Sequence, residues 1–190
     1  MIKQTISKLI LTALFVVITI NITFCQQDKR PTEWANKITN PNIKNLWKVN
    51  DSIYRSAQPD SIGFLYLKSI GINGTLNLRS NFSDKKFLTG TDISTYNVGM
   101  EANKITDEEI IESLKIIKSS RKPLVIHCKQ GSDRTGVIIA MYRIIFQGWP
   151  KDKALFEMQG GNYGFHSKYI NIPSYIQNAD IDKLKKLIKE

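Results

Sequence analysis

The chain has 190 residues, 42% hydrophobic and 23% charged, with a formal net charge of +10. That composition excludes a disordered or repeat protein and fits one globular domain with its own core. Two cysteines are too few for a disulfide scaffold, and the basic balance favours anionic partners, although lysines scattered over helix faces also serve plain solvation.

At the N-terminus, Lys3 and Lys8 precede an apolar run from Leu9 to Ile20 with no acidic residue nearby, the shape of a secretory signal. Residues 1–25 are therefore expected to form a signal peptide, residues 26–50 an N-terminal lead, and residues 51–190 the folded domain. Thr23 and Cys25 supply the small residues that signal cleavage requires, so the mature chain would begin at Gln26. The run is shorter than the roughly 20 apolar residues of a membrane-spanning helix. Acylation at Cys25 and retention as an uncleaved anchor are the alternatives, and membrane association is expected only in those two cases. Phe24, directly before the cysteine, disfavours acylation. Removing Lys3 and Lys8 takes the net charge from +10 to +8 and leaves Cys128 as a lone thiol in an exported, periplasmic or secreted protein.

After a polar lead from Pro31 to Asn42, Ser52 to Ser56 predict a short strand running into a loop at Pro59, and Asp60 or Ser61 is placed to cap a helix. That helix carries Ile62, Leu65, Tyr66 and Ile70 at helical spacing and stops at Gly71, before a predicted strand over Thr75 to Leu78. Residues 80–92 predict a loop. Alternation over Ile93 to Met100 predicts a strand with Tyr96, Val98 and Met100 on one side. Thr106 and Glu109 are spaced as a capping box, opening a helix that carries Ile110, Leu114 and Ile117 to about Ser119.

Leu124 to Ile126 form a short apolar run between Pro123 and His127, as in a strand buried on both faces of a mostly parallel sheet. From Thr135 the pattern turns helical through Val137, Ile138, Met141, Ile144 and Ile145, stopping at Gly148. Further helices are predicted over 151–158 and 180–189, the last amphipathic through Ile181, Leu184, Leu187 and Ile188. The sum is an α/β fold: a single domain with a small, mostly parallel central sheet flanked by helices.

The stretch HCKQGSDRTG, from His127 to Gly136, lies between the buried strand and the central helix, where such sheets bind ligands. A loop wrapping back there aims successive backbone N–H groups and the positive end of a helix at one tetrahedral anion. Lys129, Gln130, Gly131, Ser132, Asp133, Arg134 and Thr135 thus form a candidate phosphate cradle. Gly131 permits a positive φ in the tight loop, and Arg134 offers a planar fork for two phosphate oxygens. The same field lowers the pKa of Cys128 and makes its sulfur nucleophilic. Thr135 can hydrogen-bond that sulfur, while His127 more naturally orients the loop backbone than transfers protons.

This loop resembles that of the dual-specificity-like protein tyrosine phosphatases, most closely their periplasmic bacterial branch. YRSAQP at Tyr54 to Pro59 and MYRIIFQGWPKDKALFEMQGG at Met141 to Gly161 are similar to that branch as well. The resemblance spans Trp34 to Tyr175 and marks residues 51–190 as a cysteine-based phosphatase domain. It implies a two-step phosphocysteine mechanism without metal or cofactor, with Cys128 and Arg134 catalytic and Tyr54 at the pocket rim against the substrate ring. Arg55 and Ser56 either contact substrate or hold the sheet edge.

The family also uses an aspartic acid, on the loop before the capping-box helix, to protonate the leaving oxygen. That slot holds Asn103 here. Glu101, on the same loop, and Asp133, inside the cradle as in myotubularin-type lipid phosphatases, are the candidate general acids. Asp107 is a weaker candidate because its place at a helix N-terminus already accounts for it, and Asp92 lies at the wrong end of its strand.

Three readings follow. The leading one is a protein tyrosine phosphatase, with phosphotyrosine proteins as substrate and dual specificity open. The second is an inositol phosphate or phosphoinositide phosphatase, motivated by Lys129, Asp133 and the basic surface. The third is a module that binds phosphate without turnover, motivated by Asn103. The glycines of Gln159 to Gly164 follow a helix and predict a connecting loop rather than a nucleotide site. His166 has no partner at metal-ligand spacing. Trp34, Trp47 and Trp149 lack interleaved basic clusters, so no nucleic-acid partner is expected.

Overall fold

A computed structural model describes residues 30–189. In chain order the elements are β1 (Asn36–Lys37), β2 (Trp47–Lys48), β3 (Ile53–Ser56), α1 (Ser61–Ser69), β4 (Gly74–Arg79), a 3-10 turn (Lys85–Phe87), β5 (Ser94–Met100), α2 (Asp107–Ser119), β6 (Leu124–His127), α3 (Asp133–Gln147), α4 (Lys151–Gly160), α5 (Asn171–Asn178) and α6 (Ile181–Lys189). The expected signal peptide, with Cys25, lies outside the described residues.

Strand β6 is buried at all four positions, and that double-sided burial fixes its place inside the sheet. It pairs in parallel with β3 on one side and β4 on the other. The six-stranded order is β1-β2-β3-β6-β4-β5. Strands β3, β6, β4 and β5 run parallel, while β1 and β2 add an antiparallel edge. The expected mostly parallel α/β sheet is thus the one found.

Two apolar layers cover the sheet. The larger holds Leu76, Leu78, Val98, Ile126 and Cys128 against Ile138, Met141 and Ile144 of α3 and Ile110, Leu114 and Ile117 of α2. The smaller joins Ile43, Leu46, Tyr54, Phe64, Leu67, Ile72 and Val125. Each fully buried Leu or Ile contributes about 1.5–3 kcal/mol of transfer free energy, so layers of this size account for the fold's cohesion.

Helix starts follow the predicted chemistry. The Asp60 side chain accepts from the Gly63 amide. Thr106 and Glu109 make both bonds of the capping box, satisfying free amides at the start of α2. The last helix buries Leu184 and Ile188.

Four features depart from expectation. Helix α1 turns Gly63, Phe64 and Leu67 inward, leaving Ile62 at 58% and Leu65 at 48% exposure. Its sequence is apolar all round, and a Cβ at Gly63 would lie 3.0 Å from Ile43 and 3.1 Å from Pro59, so close approach selects the glycine face. From Glu33 onward the predicted lead is part of the folded unit; it supplies β1, β2 and the buried Trp34, Ala35, Ile43, Leu46 and Trp47. Helix α5 was not predicted, because its polar sequence carries few apolar residues, of which Ile172 and Ile176 are buried. The 80–92 loop contains the 3-10 turn, preceded by the buried Asp84.

Candidate active site

The loop between β6 and α3 owes its shape to what holds its outer side. Gln58 N donates to the Lys129 carbonyl at 3.4 Å, Asn45 Nδ2 to the Gln130 carbonyl at 2.9 Å, and Arg55 Nη2 to the Gly131 carbonyl at 2.7 Å. The Ser132 carbonyl enters the helix ladder through Gly136 N at 2.8 Å. With successive carbonyls bonded outward, the N–H groups of the residues that follow them, antiparallel across each trans peptide, face the inside of the loop, which is the geometry of an anion cradle. Gly131 has φ +71°, and a Cβ there would lie 2.4 Å from the Ser56 carbonyl oxygen. Only glycine meets both conditions.

Cys128 is 3% exposed at the end of β6. Burial alone would push its thiol pKa up. That push is outweighed by the Thr135 hydroxyl and amide, the positive charge of Arg134 and the Gln130 amide, and the thiol titrates below its ordinary value. The Thr135 hydroxyl is buried without a hydrogen-bond partner among the described residues, and its effect on Cys128 is to favour the thiolate.

Arg134 extends from the first turn of α3. Its Nη1 is anchored on the Met100 carbonyl at 3.2 Å and the Leu78 carbonyl at 3.4 Å, at the carboxyl ends of β5 and β4. Nε and Nη2 remain for an anion, the two-point grip that a guanidinium gives and an ammonium does not.

Behind the cradle lies Arg55, 1% exposed, its guanidinium 3.9 Å from the Tyr163 ring centroid. Burial pushes its pKa down to about 10. Of its two sequence-level roles the structure favours support, since it grips the loop's outer face. Ser56 is fully buried beside it.

The three acid candidates are treated differently by the fold. Both Asp133 oxygens are taken by His166, through its backbone N at 2.9 Å and its Nδ1 at 2.8 Å, which pins the lip after α4 to the cradle. Asp107 accepts from Tyr175 Oη at 2.9 Å and Lys183 Nζ at 2.8 Å; those bonds hold its carboxyl below the usual carboxylate range. Glu101 is exposed, directly after the Met100 carbonyl that anchors Arg134, and its side chain has no partner among the described residues. Asn103 is exposed on the same short turn, closed by pairing of Glu101 with Lys104. Lys129 and Gln130 are exposed at the mouth.

Tyr54 departs from its expected place at the rim. It is 8% exposed and packs with Ile43, Phe64, Leu67 and Val125, because its position in β3 faces the layer under α1.

Sequence reading missed the polar residues behind the loop. Asn45 has a positive φ of 56°, which leaves no trace in composition. Gln58, Asn77 and Asp84 converge only through the sheet. Arg79 lies 3.4 Å over the Phe82 ring and donates to Gln58 Oε1 at 3.2 Å. The one available signal was Glu157, a charged residue on the apolar face of α4: it takes Arg143 Nε and Nη2 at 2.8 Å each and Tyr163 Oη at 3.0 Å.

Comparison with known proteins agrees with this geometry. A profile described as "Tyrosine phosphatase family" matches residues 42–189. The chain is 30% identical over 158 residues to the dual specificity protein phosphatase TpbA of Pseudomonas aeruginosa, covering 82% of this chain and 71% of that protein. It is also 30% identical to the inositol diphosphatase DSP3 of Arabidopsis thaliana, covering 76% and 74%. The crystal structure of P. aeruginosa TpbA superposes with a TM-score of 0.77 at 29% identity, over 85% of this chain and all of that one. The core catalytic domain of the PP-IP phosphatase SIW14 from S. cerevisiae gives 0.67 at 25% identity, over 80% and 94%.

Proposed function

The chain belongs to the tyrosine phosphatase family, and from that membership we propose how it acts: it hydrolyses phosphotyrosine, with dual-specificity reach to other phosphomonoesters, through a phosphocysteine at Cys128. The observation that carries this reading is the pairing of a thiol held below its ordinary pKa with a loop whose amides face inward. TpbA is a dual specificity phosphatase, and a cysteine-to-serine variant of it has been crystallised with pTyr.

In the first step the Cys128 thiolate attacks phosphorus while Arg134 and the cradle amides hold the three non-bridging oxygens. The P–S bond forms, the P–O bond to the leaving group breaks, and an acid supplies that oxygen's proton. In the second step water attacks phosphorus while its proton passes to the carboxylate that acted as the acid, the P–S bond breaks, and phosphate leaves with the thiolate and the acid both restored. Glu101 is the proton donor in this proposal, since Asp133 and Asp107 are engaged elsewhere. The protein is exported: Lys3, Lys8 and the apolar run to Ile20 support a signal peptide, and periplasmic or secreted placement follows from it.

A second reading, an inositol phosphate phosphatase, is favoured by the cations at the mouth, Lys129 and Arg79, and by the likeness to DSP3 and SIW14. A panel of phosphotyrosine, phosphoserine and inositol phosphate substrates, run on the protein and on Cys128→Ser, tests both. Fastest turnover of phosphotyrosine, abolished in Cys128→Ser, supports the main reading. Preference for inositol phosphates selects the second, and activity surviving in Cys128→Ser overturns both.

A further inference from the structure

Asp84 lies in the loop between β4 and β5, far in sequence from the cradle, yet its side chain is fully buried against His127, the residue before the nucleophile. Asp84 Oδ2 lies 2.8 Å from His127 Nε2 and 3.4 Å from Thr75 Oγ1. Asp84 Oδ1 accepts from Gln58 Nε2 at 2.9 Å and Asn77 Nδ2 at 3.1 Å. The carboxyl oxygens are thus held by two side-chain amides, a hydroxyl and the His127 ring, and no Lys or Arg among the described residues is bonded to them. A buried carboxyl in such a seat is a poor device for stability alone, since apolar residues of similar volume often do as well or better.

What the seat does achieve is geometric. Beside a carboxylate, Nε2 is the ring nitrogen that donates. Nδ1 is buried without a partner among the described residues, so no second bond from them holds the imidazole. Phe64 meets the ring edge-on, with centroids 6.3 Å apart. His127 ends β6, and its backbone delivers Cys128 to the cradle. Gln58 extends the chain of bonds outward. Its amide N holds the Lys129 carbonyl, its Nε2 holds Asp84, and its Oε1 accepts from Arg79.

We propose that Asp84 is a positioning residue for the nucleophile: through His127 it fixes the end of β6 so that the Cys128 sulfur stays within reach of Thr135 and the cradle amides. Through Gln58 it also couples Arg79, at the end of β4, and the loop bearing Phe82 to the same sulfur. The inference rests on Cys128 being the nucleophile, but its test reads the sulfur without any substrate.

The test is the pH dependence of iodoacetamide alkylation at Cys128, followed by mass spectrometry so that Cys25 is resolved separately. Asp84→Asn is expected to raise the thiol pKa by about one unit, slowing alkylation about tenfold at a fixed pH below both values. His127→Ala gives a similar shift, and the double variant no more than either single one, as residues acting through one another do. Gln58→Met, which leaves the carboxyl in place, shifts the pKa in the same direction by less. Unchanged thiol titration in folded Asp84→Asn and Gln58→Met overturns the proposal even where Tm falls, and so does an additive double variant. Normal thiol titration with no turnover of any phosphoester would instead count against the proposed function.

Discussion

A methyl group at Gly131 would lie 2.4 Å from the Ser56 carbonyl oxygen and 2.6 Å from the Ala57 nitrogen. The cradle is therefore seated directly on the backbone leaving β3, and the register of the β3–β6 pair, Ser56 opposite His127, sets how tightly. Gly131→Ala faces both this clash and a φ of +71°. It is expected to lose most phosphatase activity and to destabilise the fold by about 1–3 kcal/mol, measured as aryl phosphate turnover and urea unfolding.

The thiol titration has a definite sign. Because the folded environment favours the thiolate, Cys128 should alkylate with an apparent pKa below the roughly 8.5 of a free thiol. Activity is then present above that depressed value and lost as pH falls through it. Thr135→Val removes a thiolate-stabilising bond and should move the acid limb of kcat/KM to higher pH. An acid limb that does not move would exclude the Thr135 hydroxyl from this role.

Replacing the acids one at a time separates their roles. Glu101→Gln should slow substrates with poor leaving groups by about a hundredfold while sparing activated aryl phosphates. Asp107→Asn should keep both rates within about twofold of the parent, since its carboxyl serves Tyr175 and Lys183. Its effect is on stability instead. A carboxyl whose folded pKa is depressed stabilises the fold above its unfolded pKa, and that contribution disappears as pH falls through the folded value. Parent and Asp107→Asn should therefore differ in urea midpoint at neutral pH and converge in acid.

Glu157 and Arg143 form an ion pair with both side chains 3% exposed. Glu157 also accepts from Ala35 N at 2.9 Å, tying β1's approach to α4. Glu157→Ala leaves a buried guanidinium unpaired and should cost about 3–5 kcal/mol in urea unfolding. Because the pair lies behind the cradle rather than in it, KM of the folded fraction should change little.

The strand-loop-helix unit was legible because its signals are local: an apolar tetrapeptide, a Cys and Arg at fixed spacing, and a helix start. The capping box was legible for the same reason, since Thr106 and Glu109 are three residues apart. Asp84, Gln58 and Asn45 were not, because each acts on a residue between 26 and 85 positions away and sequence spacing carries no trace of sheet register. Tyr54 was misplaced because a strand residue's face depends on which side α1 covers. In α1 itself, an apolar run on every side left the inward face undecided until Gly63 met Pro59.

Helix α3 is buried along most of its length, and its first turn supplies Arg134 and the Thr135 hydroxyl. Core and chemistry therefore share one piece, while Arg79 at the end of β4 and Glu101 and His166 on two separate loops reach it from outside. The phosphorus-handling machinery is thereby conservative by construction. A change of leaving group or substrate class can be engineered into those peripheral positions one at a time, whereas altering the cradle means rebuilding the centre of the domain.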